Sequence, residues 1–215
     1  MTWASVPPPR CRFRVSPLPA ATVGGHCPVV FGQGSRKRVS ATIGAVIYGV
    51  GLVSLFWASA IYHRHVRTEK ALLWARRVDH ASIFVFIGAC YTVVALSVLS
   101  LLGATLVLVA VWSVAGTGVV VKLALLGPGN RLISWMYSAL GWASVALLPS
   151  LARVMSATEI VLLLVGGLLY GVGSLVLLRK SPDPVPQVFG YHEIWHSFVV
   201  LAVGCQFVSF WGLVG

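Results

Sequence analysis

Charge is what this chain has least of. Of its 215 residues 10% are charged and only five are acidic, where soluble domains carry about 25% charged residues. That scarcity excludes a soluble domain. A hydrophobic fraction of 58% and a mean hydropathy of +0.89 point to an integral membrane protein instead. Cysteine is also sparse: Cys11, Cys27, Cys90 and Cys205 show no CxxC-type spacing, and two of them fall inside apolar runs. A disulfide framework or a cysteine metal site is thereby disfavoured. Residues 1–40 lack any apolar stretch long enough to span a bilayer. They also lack the continuous h-region of a secretory signal. They are rich in proline and carry Arg10, Arg12, Arg14 and the run Arg36-Lys37-Arg38, which reads as a poorly ordered or interfacial tail.

Residues 41–215 read as one all-α membrane bundle with no inserted soluble domain. Crossing a hydrocarbon core of about 30 Å takes roughly 20 helical residues. Six runs are long enough, near 41–62, 80–101, 104–126, 132–150, 159–178 and 191–214. Short connections such as Gly127-Pro-Gly-Asn130 and Ser181-Pro-Asp-Pro-Val-Pro186 separate them. The glycines of Gly166-Gly-Leu-Leu-Tyr-Gly-Val-Gly173 allow two helices a close approach.

The net charge of +11 would suggest nucleic acid in a soluble protein. Here the basic residues sit between apolar runs, so anionic membrane lipids are the expected partner and nucleic acid is not. Arg64, Arg67, Lys70, Arg76, Arg77, Lys122, Arg131, Arg179 and Lys180 all fall on connections of one side, nine of the sixteen basic residues. The alternate connections hold only Arg153. The positive-inside rule therefore places the 63–79 and 179–191 loops in the cytoplasm. By that count the tail's six basic residues lie on the opposite side, and the loop asymmetry outweighs them.

Three helix ends meet at the cytoplasmic side by this topology. The first span closes on Ser59-Ala-Ile-Tyr-His63, the second opens on Arg77-Val-Asp79-His80, and the last opens on His192-Glu-Ile-Trp-His196. Residues four apart share a helical face. His63, His192 and His196 can thus supply three imidazoles to a zinc ion and leave a fourth position for water. Asp79 is placed to orient that water or accept its proton, with Ser59 as a hydrogen-bond partner. Ionisable groups in spans usually face the bundle interior and serve function. Taken one at a time, each of these groups would read as an interfacial polar residue at a helix end. His80 points about 100° away from Asp79 on a helix, which suits a supporting role rather than ligation. His65 reads as solvated, and His26 has nothing around it.

The string His-Glu-x-x-His also spells a zincin motif. Glu193 lies about 100° round the helix from His192, and no distant aspartate in a Leu-Asp-Gly setting accompanies it. The protease spelling reads as coincidence.

With these motifs the chain resembles the hemolysin III family of bacterial membrane proteins. That family is related to the adiponectin and progestin receptors and more distantly to alkaline ceramidases. The likeness runs from about residue 39 to the end. It rests on Ser59-Ala-Ile-Tyr-His63, Arg77-Val-Asp-His-Ala-Ser-Ile-Phe-Val-Phe-Ile-Gly-Ala-Cys-Tyr-Thr92, Leu140-Gly-Trp142, the 166–173 glycine run and Phe189-Gly-Tyr-His-Glu-Ile-Trp-His196. The resemblance implies a seven-helix bundle in the bacterial plasma membrane, with zinc held at the cytoplasmic side by His63, His192 and His196 and with Asp79 beside it. It implies a hydrolase of a lipid amide. A receptor-like or membrane-homeostasis protein with structural zinc, or a lytic pore, is the alternative. Two departures stand out. Val93 replaces a usual proline, which should leave that helix straight. The family's first span has no counterpart in 1–40, as a divergent, truncated or misread beginning would produce.

Overall fold

The computed structural model describes residues 33–65, 68–125, 131–185 and 189–214. Most of the expected tail (residues 1–32, with His26, Cys11 and Cys27) and the Gly127-Pro-Gly-Asn130 connection lie outside the described residues. The protein is an all-α membrane bundle. Its helices are α1 (Gln33–Arg64), α2 (Glu69–Val98), α3 (Leu101–Val120), α4 (Arg131–Ala143), α5 (Leu148–Leu151), α6 (Ala157–Arg179) and α7 (Tyr191–Val214). Five of them, α1, α2, α3, α6 and α7, are long and apolar enough to cross a membrane. Among the described residues the one β feature is an isolated bridge between Val185 and Phe189.

Three boundaries differ from the hydropathy reading, and each difference has a cause. Helix α1 starts at Gln33, eight residues before the span expected near 41. Helix α2 starts at Glu69, so most of the expected 63–79 loop is helix and Asp79 lies about three turns inside it. Hydropathy marks where lipid contact ends, while helix formation depends on propensity. Ala71, Leu72, Leu73 and Ala75 are strong helix formers, and Glu69 complements the dipole of the first turn. The span expected near 132–150 is not one α-helix. It tightens to a 3-10 turn over Ser144–Leu147 before α5 resumes. Pro149 accounts for this, since its ring clashes with the carbonyl four residues back and it offers no N–H. Helix α2, by contrast, runs unbroken through Val93.

Lipid tails are as apolar as leucine, so burying apolar surface drives helix association little in a bilayer; close packing and interhelical hydrogen bonds replace it. Gly44 and Gly51 are seven apart and so lie on one stripe of α1. A methyl group at Gly44 would stand 2.9 Å from Val93 Cα, and one at Gly51 2.7 Å from Ala89 Cβ, so α1 and α2 touch backbone to side chain. The same spacing recurs at Gly166 and Gly173, which admit Ala202 and Phe198 of α7 against α6. Helix α3 joins α2 where Gly118 faces the fully buried Phe84 ring. Polar ties supplement the packing: Tyr91 Oη donates to the Leu140 carbonyl at 2.6 Å and Trp112 Nε1 to Thr92 Oγ1 at 3.0 Å. The pairings bring the end of α1 and the start of α7 to the same end of the bundle. The positions of His63, His192 and His196 therefore depend on glycine contacts elsewhere along their helices.

Candidate metal centre

His63 lies in the last turn of α1, while His192 and His196 occupy the first two turns of α7 on one face. His192 Nε2 stands 3.5 Å from His63 Nε2 and 3.1 Å from His196 Nε2. The three rings each offer a nitrogen within 4.8 Å of the other two. Ligands at 2.0–2.1 Å from a tetrahedral zinc stand about 3.3–3.4 Å apart, so the observed spacing fits such an ion. The chemistry of the donors fits as well. Each N···N contact without a cation needs a proton on one of its two nitrogens, whereas a cation takes one lone pair from every ring. His63 is exposed and the other two rings are half-buried, so one side of the cluster stays open.

Asp79 does not join that converging set. Its carboxylate lies within electrostatic reach of His63 and within hydrogen-bonding reach of the Ser59 side chain. The structure thus brings together all five residues singled out in the sequence: His63, His192 and His196 converge, and Asp79 and Ser59 stand beside them.

Three of the other four acidic residues are committed elsewhere, and the fourth is an exposed side chain at the start of α2. Glu193 Oε2 accepts from the Gly190 backbone N–H at 2.9 Å, which is one half of a capping box at the start of α7. Asp183 Oδ1 accepts from the Tyr191 N–H at 3.1 Å at the same helix end. Glu159 forms a full capping box with Ser156 at the start of α6. Glu69 is exposed in the first turn of α2. Asp79 is thus the carboxylate beside the histidines that no helix cap occupies. The glutamate of the His-Glu-x-x-His string caps the start of α7 and lies outside the converging set. His80 donates from Nδ1 to the Arg76 carbonyl at 2.8 Å, so the 3.7 Å approach of the same nitrogen to Asp79 is a loose contact. His65 is exposed beyond the end of α1.

The sequence reading missed Lys122. It served there only as a topology marker, yet it is 2% exposed. The signal was available: a lone cation within the apolar run Val119-Val-Val-Lys-Leu-Ala-Leu-Leu126.

The Haemolysin-III related family model matches residues 17–207, most of the chain. The chain belongs to that family. The match reaches back to residue 17, well before residue 39, where the likeness was expected to begin, and so takes in part of the basic, proline-rich segment. Among curated relatives, a "Hemolysin-3 homolog" of Bacillus subtilis is 34% identical over 157 residues, covering 72% of this chain and 69% of the relative. "Hemolysin-3" of Bacillus cereus is 30% identical over 165 residues, covering 75% and 70%. The human "Monocyte to macrophage differentiation factor" is 27% identical over 195 residues, covering 86% and 77%. No solved structure matches the chain.

Proposed function

We propose that this membrane protein of the haemolysin-III related family binds zinc through His63, His192 and His196 and hydrolyses an amide-linked lipid. The observation that carries the reading is the convergence of three Nε2 atoms beside the Asp79 carboxylate. A bound zinc ion supplies Lewis-acid chemistry, activating water at neutral pH and polarising a carbonyl. Asp79 takes a proton as water oxygen bonds to the acyl carbon. It returns that proton to nitrogen as the C–N bond breaks, giving a carboxylic acid and an amine. Ser59 holds the carboxylate in orientation. The open face at His63 admits a substrate, and an apolar groove between α1, α2 and α3 passes Ala58 and Val78, the chain neighbours of Ser59 and Asp79. The groove suits a lipid chain. By the positive-inside count, this end of the bundle faces the cytoplasm of the cell whose plasma membrane holds it.

Asp79→Asn tests the reading. The variant should keep its zinc, because Asp79 lies outside the converging set. It should lose most turnover of amide lipids in a purified, detergent-solubilised assay read by mass spectrometry, since general-base catalysis contributes about 10²–10⁴-fold. Turnover by Asp79→Asn at the wild-type rate would overturn the assignment. Full zinc content with no amide lipid consumed by the wild type would favour structural zinc.

A further inference from the structure

A polar side chain inside a membrane bundle needs a partner that lipid does not supply. Tyr48 lies midway along α1 and is 5% exposed, yet its hydroxyl has no hydrogen-bond partner among the described residues. The buried hydroxyl of Tyr170 on α6 has none either. An unpaired hydroxyl in apolar surroundings is costly, and both tyrosines belong to the same core. Two more polar groups accompany them. Cys90 Sγ of α2 approaches Gln206 Oε1 of α7 at 3.7 Å, and this weak thiol contact is the one hydrogen bond of the Gln206 side chain among the described residues.

The packing places the four together. The Tyr48 ring centroid lies 5.7 Å from that of Phe86 and 5.4 Å from that of Phe210. Phe86 is one turn from Cys90 on α2, and Phe210 is one turn from Gln206 on α7, each pair on one helical face. Tyr170 lies between Gly166 and Gly173 on the stripe of α6 that meets α7. Helical side chains lean towards the N-terminus, which carries the Tyr170 ring towards Gly166 and its neighbour Cys205, the residue before Gln206. Tyr48, Cys90 and Tyr170 are also within electrostatic reach of one another. The glycine-packed pair α1 and α2 thus contributes two of these groups, and the pair α6 and α7 the other two. Gln206 lies ten residues beyond His196, about 15 Å along α7, so the set is separate from the histidine cluster. We propose that Tyr48, Cys90, Tyr170 and Gln206 hold buried water at midspan, where the two helix pairs meet. Hydroxyl and amide groups both donate and accept, and a buried water takes two to four such partners. An ion does not suit the set, which offers no carboxylate or cation to balance it. The water completes hydrogen bonds that neither helix pair completes alone, and so ties one pair to the other.

The test uses the full-length protein in neutral detergent, stripped of metal by a chelator so that the histidine cluster plays no part in the readout. X-ray radiolysis makes hydroxyl radicals from bound water as well as from bulk solvent, and mass spectrometry locates the oxidised side chains. Tyr48, Tyr170 and Cys90 should be labelled, whereas Phe84, 0% exposed in an apolar core, should not. Either tyrosine left unlabelled would overturn the proposal. Stability gives a second measure, in which the sign decides. Removing an unpaired buried hydroxyl favours the folded state, while removing one bonded to water disfavours it. Tyr48→Phe and Tyr170→Phe should each lower the folding equilibrium constant by about threefold or more. A rise in either variant would overturn the proposal. The double variant should lose less than the product of the two single losses, because both hydroxyls share the same water. Strictly multiplicative losses would mean separate contacts and no shared site. Neither measure involves zinc or amide hydrolysis, so failure of the proposed activity would leave this result untouched.

Discussion

His192 is the vertex of the histidine cluster, with one neighbour at 3.5 Å and the other at 3.1 Å. Replacing it by alanine leaves two rings, His63 and His196, with centroids 5.0 Å apart. Four-ligand structural zinc sites gain about 10–16 kcal/mol at pH 7, so one ligand carries about 2.5–4 kcal/mol. That corresponds to a rise in Kd of about 10²–10³-fold. The loss at this site should sit at the upper end, because only two of three protein ligands would remain. Competition between the solubilised protein and a fluorescent zinc chelator at fixed pH reads the constant directly. His65→Ala is the control, since His65 is exposed just beyond α1, and its Kd should stay within about twofold. Equal Kd values for His192→Ala and the wild type would refute the site. An equal fall in His65→Ala would show that chelation anywhere on the basic face, not the cluster, was being measured.

Three further outcomes follow from the packing. Glu193→Ala should lower stability by about 0.5–2 kcal/mol, as loss of a helix cap does, and leave zinc affinity unchanged; a large fall in zinc affinity would restore the glutamate to the metal. Gly51→Val puts a side chain where a single methyl already meets Ala89 Cβ at 2.7 Å. Overpacking of about 1–3 kcal/mol should loosen α1 from α2 and weaken zinc binding through His63, which paired melting and zinc titrations would reveal. Tyr91→Phe deletes the hydrogen bond to the Leu140 carbonyl and should cost about 0.6–1.7 kcal/mol by unfolding in detergent, with no effect on zinc.

Much of the bundle, and the five residues that the structure brings together at one end of it, were legible in the sequence, for reasons specific to membranes. Few polar groups survive within spans, so Ser59, His63, Asp79, His192 and His196 stood out against an apolar background, and four-residue spacing put the α7 pair on one face. What hydropathy did not show was where helices start. Helix α2 runs ten residues past Asp79 towards its N-terminus, because Lys70, Arg76 and Arg77 end lipid contact without ending the helix. The break at Ser144–Leu147 was hidden for the opposite reason: Pro149 is apolar and extends a hydrophobic run while interrupting the helix within it.

The glycines carry the deeper lesson about how site and fold are linked. The 166–173 run suggested one close helix contact, but the equivalent pair Gly44 and Gly51 went unread because two glycines seven apart in a span are unremarkable alone. In the structure both pairs do the same work: Gly44 and Gly51 set α1 on α2, and Gly166 and Gly173 set α6 on α7. His63 belongs to the first pair of helices and His192 and His196 to the second. The cluster therefore exists only where the two pairs meet, and its geometry depends on two packing stripes built on glycine. A ligand held by all three rings would in turn hold the pairs together, because binding to the folded state alone stabilises it by mass action. The affinity for such a ligand and the cohesion of the two helix pairs should accordingly rise and fall together.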